Sequence, residues 1–321
     1  MRAIKPFAEI LDVGNNIDVL KKIEMVGRTC YKSTEKITDD SAPKFVSNLI
    51  KCNHEAMLEH GSFCFEIDRT VYNWMKNSIE ILSSQYNFHS FIRFTNDRRI
   101  LMSGNIRAWR DFFRNIIEWI GIPATFEDFI YENPILFPEY QDEIYIGKIG
   151  SIRQVNLDTI YTINEFLTHC DVTVRFVVDR GVSHELVRHR PASFAQESTR
   201  YCNYSKDKFG NQLTFIIPEF FQYDSYEWNL WANAMRASEA DYLKLIECGV
   251  TPEKARTVLP NSLKTEVIMT ANCAEWRHFF NLRACNSTGK AHPQMLEVTR
   301  PLLDDFKNYI PIIFGDLVYG Q

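Results

Sequence analysis

The sequence predicts an α+β fold in a single domain, and three observations support this prediction. Segments with helical periodicity and segments with strand-like alternation occur along the whole chain. No repeat, low-complexity tract or long linker separates one part from another. The composition, 45% hydrophobic and 24% charged residues, is typical of a soluble globular protein with a sizeable core. We therefore expect residues 1–321 to form one domain.

Helices are predicted where apolar residues recur every three or four positions. Gly249 ends one such segment, and Pro252 begins the next because proline fits the first turn of a helix. The predicted helices cover residues 17–28, 42–51, 104–119, 224–248, 272–283 and 291–303, and shorter ones begin near residues 181 and 252.

Strands are predicted where apolar and polar residues alternate, or where a short apolar run lies between turn residues. Residues 62–68, SFCFEID, show the alternation, and residues 171–178, DVTVRFVV, form a strong apolar strand. From about residue 120 to residue 158 the pattern weakens into proline-containing, acidic and aromatic sequence. We interpret residues 105–165 as an insertion that packs against the fold. The remaining predicted strands cover residues 86–95, 99–103, 213–217 and 263–270.

The charge and hydropathy of the chain limit its function. A formal net charge of -5 argues against binding to a nucleic-acid polymer, although a local basic pocket for one nucleotide is compatible with it. No segment approaches the ~20 apolar residues that cross a bilayer. The N-terminal residues lack the apolar core of a signal peptide. We therefore expect a cytoplasmic protein that does not bind membranes.

The eight cysteines form no CxxC pair and show no zinc-knuckle spacing. Thiols in a reducing compartment are therefore expected rather than disulfides or a zinc site. Most of these cysteines are expected to be small core residues.

Residues 188–201, RHRPASFAQESTRY, contain the densest set of anion-binding groups in the chain. Arginine binds phosphate or carboxylate through paired hydrogen bonds, and hydroxyls add further donors. Only Glu197 offsets the three arginine charges. The segment predicts an anionic ligand, and the alternative is a surface turn paired with acidic residues elsewhere. The groups concerned are Arg188, Arg190, Arg200, Ser193, Ser198 and Thr199.

The order of these residues resembles the signature of the flavin-dependent thymidylate synthases. That signature is Arg-His-Arg, two residues, Ser, four residues, Ser, one residue and Arg. The resemblance extends over most of the chain and implies a mixed, largely antiparallel sheet flanked by helices. It also implies a homotetramer with active sites at subunit interfaces. The fixed positions are occupied by Arg188, His189, Arg190, Ser193, Ser198 and Arg200.

The resemblance implies FAD as the cofactor. The chain has no GxGxxG motif, which excludes a Rossmann cradle, so arginines and histidines are expected to bind the flavin. Residues 54–60 and 272–283 resemble two further family elements, although Ala274 and His278 depart from the second, and Cys30 stands where the family usually has serine. The implied cofactor-binding residues are His54, Ala56, Glu59, Arg188, His189, Arg190, Gln196, Asn272, Ala274 and His278.

The resemblance also implies methylation of deoxyuridine monophosphate (dUMP). Methylenetetrahydrofolate would donate the carbon, and NADPH would reduce the FAD. Arg283 is the implied catalytic residue, because a guanidinium beside the base favours its ionisation at N3. Glu185 stands where the family commonly has glutamine. The implied substrate-binding residues are Glu185, Arg188, Gln196, Glu197, Ser198, Thr199, Arg200, Arg256 and Arg283.

A cysteine nucleophile is not expected. The cofactor-free type of thymidylate synthase attacks the base with a thiolate, which requires a thiol of lowered pKa in an accessible, electropositive place. Cys202 and Cys285 lie near arginines in the sequence, but neither occupies a fixed position of the motifs above. We therefore predict turnover that needs no enzyme thiolate.

Two other functions stay open from the residues alone. A zinc-dependent hydrolase would use the histidines, but His54 and His60 would lie about 120° apart on a helix, and His184-Glu185 to His189 has one residue more than HExxH. No metal site is therefore predicted. A non-catalytic nucleotide-binding or regulatory protein would use the same arginines without a flavin.

Overall fold

The computed structural model describes residues 1–14, 16–86, 91–156, 160 and 162–320. The strands in this part of the chain are β1 (Arg2–Ile4), β2 (Phe7–Val13), β3 (Ser62–Ile67), β4 (Arg93–Asn96), β5 (Ile100–Asn105), β6 (Ile152–Gln154), β7 (Asp171–Asp179), β8 (Ser193–Gln196), β9 (Thr214–Ile216) and β10 (Lys264–Asn272).

Helices connect and cover these strands. They are α1 (Val19–Tyr31), α2 (Ser41–Lys51), α3 (Arg69–Tyr86), α4 (Ile106–Trp119), α5 (Glu127–Tyr131), α6 (Ile163–His169), α7 (Arg180–Leu186), α8 (Tyr226–Glu247), α9 (Pro252–Ala255), α10 (Cys273–Arg283), α11 (Pro293–Tyr309) and α12 (Pro311–Phe314). A 3₁₀ helix (Glu55–His60) precedes β3. No helix in the described part of the chain combines the length and apolar character needed to cross a bilayer.

Two four-stranded antiparallel sheets form the centre of the molecule. The first sheet has the strand order β2-β7-β10-β8, and the second has the order β4-β5-β3-β6. β1 and β9 pair in parallel as a separate two-stranded sheet. The α+β prediction is confirmed, and the strands are divided among three sheets.

Side chains at the helix N-termini fix where several helices begin. Each accepts a hydrogen bond from a backbone amide in the first turn that would otherwise lack a partner. Asn272, one of the residues implied for the cofactor, has this role at α10 through a bond of 2.9 Å from the Glu275 amide. The capping residues of α1, α4, α7, α8 and α10 are Asp18, Asn105, Asp179, Ser225 and Asn272.

The predicted elements with strong periodicity agree with the structure, and the weaker ones differ. The strands predicted over 62–68 and 171–178 are β3 and β7. The strand predicted over 86–95 begins only at Arg93, and residues 87–90 lie outside the described residues. Tyr86 belongs instead to α3, an 18-residue helix that the sequence reasoning missed. β2 was also missed, because its half-buried pattern becomes a strand through pairing with β7.

An apolar core packs against each of the two antiparallel sheets. One packs α1, α3 and α4 against the second sheet, and its buried residues include Ile23, Phe65, Val71, Trp109 and Phe126. The other packs α10 and α11 against the first sheet, and its buried residues include Val174, Trp276, Phe280, Leu303 and Phe306. The segment 105–165 thus contributes to the same core as α1 and α3. Its interpretation as an insertion stays a prediction.

A buried polar cluster joins the two antiparallel sheets. The Arg93 guanidinium at the start of β4 donates two hydrogen bonds to the Asp171 carboxylate at the start of β7, at 2.8 and 3.0 Å. Ser62 of β3 donates to the same carboxylate at 2.6 Å. Burial alone would raise the pKa of Asp171, but the Arg93 charge and these bonds lower it below its ordinary value. The cluster therefore fixes the edge at which the sheets meet.

Candidate functional site

The signature segment, residues 188–200, alternates between buried and exposed side chains. His189, Ser193, Glu197 and Thr199 are buried, whereas the three arginines are exposed. β8, in the middle of the segment, lies at the edge of the first sheet beside β10. The buried residues anchor the segment, and the three arginines, which lie before and after β8, remain accessible.

Arg188 and Arg190 have no side-chain partner in the described part of the chain. Neither guanidinium makes a hydrogen bond or an ion pair with a described residue. This disfavours the alternative in which these arginines pair with acidic residues of the same chain. All of their donors are therefore available to an anionic ligand.

A cleft of about 820 Å³ lies beside Arg190. Glu59, Ser193 and Asn272 also line it, so it joins the signature segment to the 3₁₀ helix and to the start of α10. Its volume falls within the range typical of cofactor and ligand sites. Arg93 and Arg107 contribute further cations to its walls.

A second cleft of about 690 Å³ is lined by His54, Ala56 and Cys30. Arg107 and Asp111 of α4 line both clefts, so the two clefts adjoin. The structure therefore places five of the implied cofactor-binding residues along one continuous surface. They are His54, Ala56, Glu59, Arg190 and Asn272.

α10 brings His278 next to His189. The two imidazole rings lie 5.1 Å apart, and the Nε2 atom of His189 lies 3.2 Å from the Glu275 carbonyl oxygen. Burial lowers the pKa of His189 to about 4, so its imidazole is neutral at pH 7. Ala274 lies one turn before His278 on the same helix and offers a methyl group and backbone atoms alone.

Arg283, the implied catalytic residue, has a carboxylate partner. Its Nη1 atom donates to the Glu185 carboxylate at 3.3 Å, and both side chains remain partly exposed. Glutamine in place of Glu185 could not form this ion pair. The departure from the family pattern thus changes the charge beside Arg283, while its other donors stay available.

The remaining implied substrate residues mostly contact one another or the sheet. Arg256 donates to the Thr199 hydroxyl at 3.3 Å, and the Ser198 hydroxyl accepts from the Arg200 amide at 3.3 Å. The Gln196 amide donates to the hydroxyls of Ser183 and Thr265 at 2.9 and 3.2 Å, the first on α7 and the second on β10. Arg256 therefore approaches the signature segment, whereas Arg283 pairs with α7.

Glu197 lies in a buried ion cluster rather than at an accessible surface. Its carboxylate accepts from Lys264 at 2.8 Å and from the Tyr204 hydroxyl at 3.1 Å, and the side chain is 3% exposed. Lys264 also bonds to Glu266 at 2.7 Å. Within this chain Glu197 therefore anchors the signature segment, and the geometry does not present it to a substrate.

Several residues at the clefts were not anticipated from the sequence. Tyr31 and Tyr201 line the 690 Å³ cleft with ring centroids 5.3 Å apart. Arg107 and Asp111 come from α4, far from the signature in sequence. Of these four residues, only Tyr201 could have been anticipated from the sequence, because it directly follows Arg200.

The three singled-out cysteines are not activated nucleophiles. Burial raises the pKa of Cys30 to about 11, and it raises that of Cys285. Cys202 is 1% exposed, so a substrate cannot reach its thiol. Among the described residues, no group of three or more His, Cys, Asp or Glu side chains could hold a metal ion.

Residues 161–312 match the family model described as "Thymidylate synthase complementing protein". This match confirms the family resemblance for that region. The region is just under half of the chain and contains the whole signature segment, β10 and α10. Residues 54–60 and α4 lie outside it.

Relatives named flavin-dependent thymidylate synthase align with part of the chain. The Geobacter sulfurreducens protein is 35% identical over 139 residues, which cover 43% of this chain and 57% of that protein. The Pyrococcus furiosus protein is 36% identical over 126 residues, which cover 39% of this chain and 50% of that protein. The matched part thus spans about half the length of these relatives.

One solved structure aligns over nearly the whole chain. It is described as a UMP/dUMP methylase PolB from Streptomyces cacaoi bound with 5-Br dUMP, and it covers 98% of this chain and 96% of its own. The sequence identity is 13% and the TM-score is 0.42, which is too low to establish a shared fold.

Proposed function

We propose that this protein methylates dUMP to thymidine monophosphate, with methylenetetrahydrofolate as carbon donor and NADPH-reduced FAD as hydride carrier. One observation carries the proposal. Within the region that matches the family, Arg188 and Arg190 are exposed and unpaired among the described residues, and Arg190 lines a cleft of about 820 Å³. Such unpaired cations favour an anionic ligand.

The residues of the clefts, together with the exposed Arg188 two positions before Arg190, fit FAD. Arg188 and Arg190 supply charge-assisted donors for its pyrophosphate or for the ring edge where negative charge collects on reduction. His54, Ala56, Glu59 and Asn272 lie on the same continuous surface. When bound there, FAD would supply hydride transfer. The chain's own contribution is to bind, orient and charge-balance the cofactor.

His189 would contact the cofactor as a neutral imidazole. Its pKa of about 4 means that it carries no charge at pH 7, so it can use one ring nitrogen as a donor and the other as an acceptor. Its Nε2 atom lies 3.2 Å from the Glu275 carbonyl oxygen, which leaves Nδ1 for a ligand. The His189 ring would thus add flat, uncharged surface beside the His278 ring.

The nucleotide would bind through Arg200 of the signature segment and through Arg256 and Arg283. Arg200 is exposed, and Arg256 bonds to the neighbouring Thr199 hydroxyl, so both are candidates for the phosphate. Arg283 would stabilise negative charge at N3 of the base. Its single 3.3 Å bond to Glu185 would orient the guanidinium and leave its remaining donors for the base.

We further propose a cytoplasmic homotetramer whose sites combine residues of two subunits. Support comes from the different partners of two of these arginines within this chain: Arg283 pairs with Glu185, and Arg256 bonds to Thr199. A neighbouring subunit could complete each group, as in many symmetric assemblies. Mixing inactive Arg188→Ala and Arg283→Ala chains should restore activity if the two residues serve one site from different subunits. A fully active monomer in light scattering would refute the assembly.

The test of the function is product formation in a defined mixture. Purified protein should convert dUMP to thymidine monophosphate when methylenetetrahydrofolate, NADPH and FAD are present. Omission of methylenetetrahydrofolate or NADPH, or removal of the bound FAD, should abolish the product. A colourless protein that binds dUMP without forming product would instead indicate a non-catalytic nucleotide-binding protein.

A further inference from the structure

The 3₁₀ helix (Glu55–His60) needs support from outside itself. Runs of 3₁₀ helix longer than three or four residues are uncommon because their hydrogen-bond geometry is poor. This one has six residues, and its ends bond through the His54 amide to the Leu49 carbonyl at 2.9 Å and the Gly61 amide to the Leu58 carbonyl at 3.3 Å. Its position must therefore be set by tertiary contacts.

One face of α4 supplies those contacts. Arg107, Arg110 and Arg114 are separated by three and four positions, so they lie along the same side of the helix. Arg107 donates to the Glu59 carboxylate at 2.6 Å. Arg110 and Arg114 both donate to the Glu55 carboxylate at 3.0 Å. The first and fifth residues of the 3₁₀ helix are therefore both held by α4.

Arg110 is the buried centre of this arrangement. It is 1% exposed, and its other donors bond to the Leu136 carbonyl and to the Glu139 carboxylate. Glu55 is also buried, with 9% of its surface exposed. A buried ion pair with every group bonded fixes geometry strongly, because loss of either partner leaves a charge without compensation.

Asp111 completes the network on the cleft side. It accepts from Arg114 at 2.7 Å and lies 3.7 Å from Arg107. Arg107 and Asp111 line both clefts, so the same network forms the wall between them. α4 lies outside residues 161–312, so the match to the family assigns no role to these residues.

We propose that Arg107, Arg110 and Arg114 are positioning residues, which fix the 3₁₀ helix so that His54, Ala56 and Glu59 face the cofactor clefts. The identity of the bound cofactor rests on the proposed function. The position of the 3₁₀ helix, by contrast, depends on these arginines whether or not a cofactor is bound. Arg110 acts through Glu55 and lines neither cleft, whereas Arg107 lines both clefts and Arg114 lines the 690 Å³ cleft.

The experiment compares Arg110→Met and Arg114→Met with the control Arg153→Met. Arg153 forms an exposed ion pair with Glu66 on the second sheet and is remote from α4 in sequence. Arg153→Met therefore removes one positive charge, as the test variants do, without touching the α4 network. Arg114 is about half exposed and keeps the test valid if Arg110→Met does not fold. Arg110→Lys serves as the conservative variant, because lysine keeps the charge and one donor direction.

The first measurement is hydrogen exchange in protein without added FAD. Arg110→Met and Arg114→Met should speed amide exchange in residues 54–61 and leave β10 unchanged. Arg153→Met should change neither. Unaltered protection of residues 54–61 in both variants would overturn the proposal, whatever the protein binds.

The second measurement separates positioning from general destabilisation. Arg110→Met should raise the Kd for FAD about 10-fold and leave the Kd for dUMP unchanged, because misplacing a supporting element costs binding locally. Arg110→Lys should restore part of the affinity. Equal weakening of FAD and dUMP would contradict a positioning role. Absence of FAD binding in the unaltered protein would refute the proposed function. Hydrogen exchange of residues 54–61 would still decide whether the α4 arginines position the 3₁₀ helix.

Discussion

The arginines of the signature segment and those of α4 have opposite surroundings. Arg188 and Arg190 are exposed and make no side-chain bond to a described residue. Arg107, Arg110 and Arg114 each bond to at least one carboxylate, and Arg110 is buried. The same side chain thus has two uses here. Unpaired guanidinium groups are available for a ligand, while paired ones hold the backbone that faces it.

The largest expected effect is on catalysis, at Arg283. This arginine is paired with Glu185 and also has donors available for a ligand. Arg283→Ala should lower kcat at least about 100-fold, because it removes the cation proposed to stabilise charge on the base. The fold should persist, since Arg283 is partly exposed and has one ion-pair partner. Thymidine monophosphate formation and thermal unfolding measure the two quantities. If the kcat of Arg283→Ala stays within a few-fold of that of the unaltered protein, Arg283 is not the catalytic residue.

A smaller effect is expected on stability at acid pH, from two buried and paired histidines. Burial lowers the pKa of His60 to about 3 and that of His169 to about 4. Both pKa values lie below the ordinary value of 6.5, so the unfolded chain binds protons that the folded chain does not. The free energy of unfolding should therefore fall between pH 7 and pH 5, by about 2 kcal/mol for each histidine.

Urea unfolding at the two pH values checks this prediction, with His169→Gln as the variant. The glutamine amide can replace the bonds to Thr95 and Ser103, at 3.0 and 2.7 Å, but does not titrate. The variant should therefore show a flatter pH dependence. An unchanged slope would mean that His169 is not neutral in the folded chain.

The smallest expected effect is at the cysteines. Cys202→Ala and Cys285→Ala, alone or combined, should leave flavin-dependent turnover intact, because both thiols are buried and the pKa of Cys285 is raised. Product formation by the folded variants is the measurement. Loss of turnover in a variant that still binds FAD and dUMP would reveal a missed nucleophile.

The sequence predicted those parts of the fold that depend on local pattern. β3, β7 and α10 follow from alternation or helical spacing within a few residues. α3 was missed, because its polar and aromatic sequence becomes a helix through burial of residues such as Val71 and Met75. Tertiary packing therefore decided the elements whose own pattern was weak.

The same distinction applies to the candidate site. The signature predicted arginines that bind an anion, but it did not predict that Glu197 would be buried with Lys264. Ser193, Ala195 and Glu197 are two positions apart, so strand alternation points all three to the same face, and all three are buried. The burial of Glu197 could therefore have been predicted from the sequence. The α4 network was not predictable, since Arg110 and Glu55 are 55 positions apart and only the fold joins them.

The most direct test of the account is an FAD titration of three proteins in parallel. They are the unaltered chain, the double variant Arg188→Ala with Arg190→Ala, and the control Arg153→Ala. The account predicts saturable binding to the unaltered chain and the control, and about 100-fold weaker binding to the double variant, since each lost charge-assisted contact costs roughly a factor of ten. Equal FAD affinity in the double variant and the unaltered chain would contradict the claim that the unpaired arginines bind the flavin.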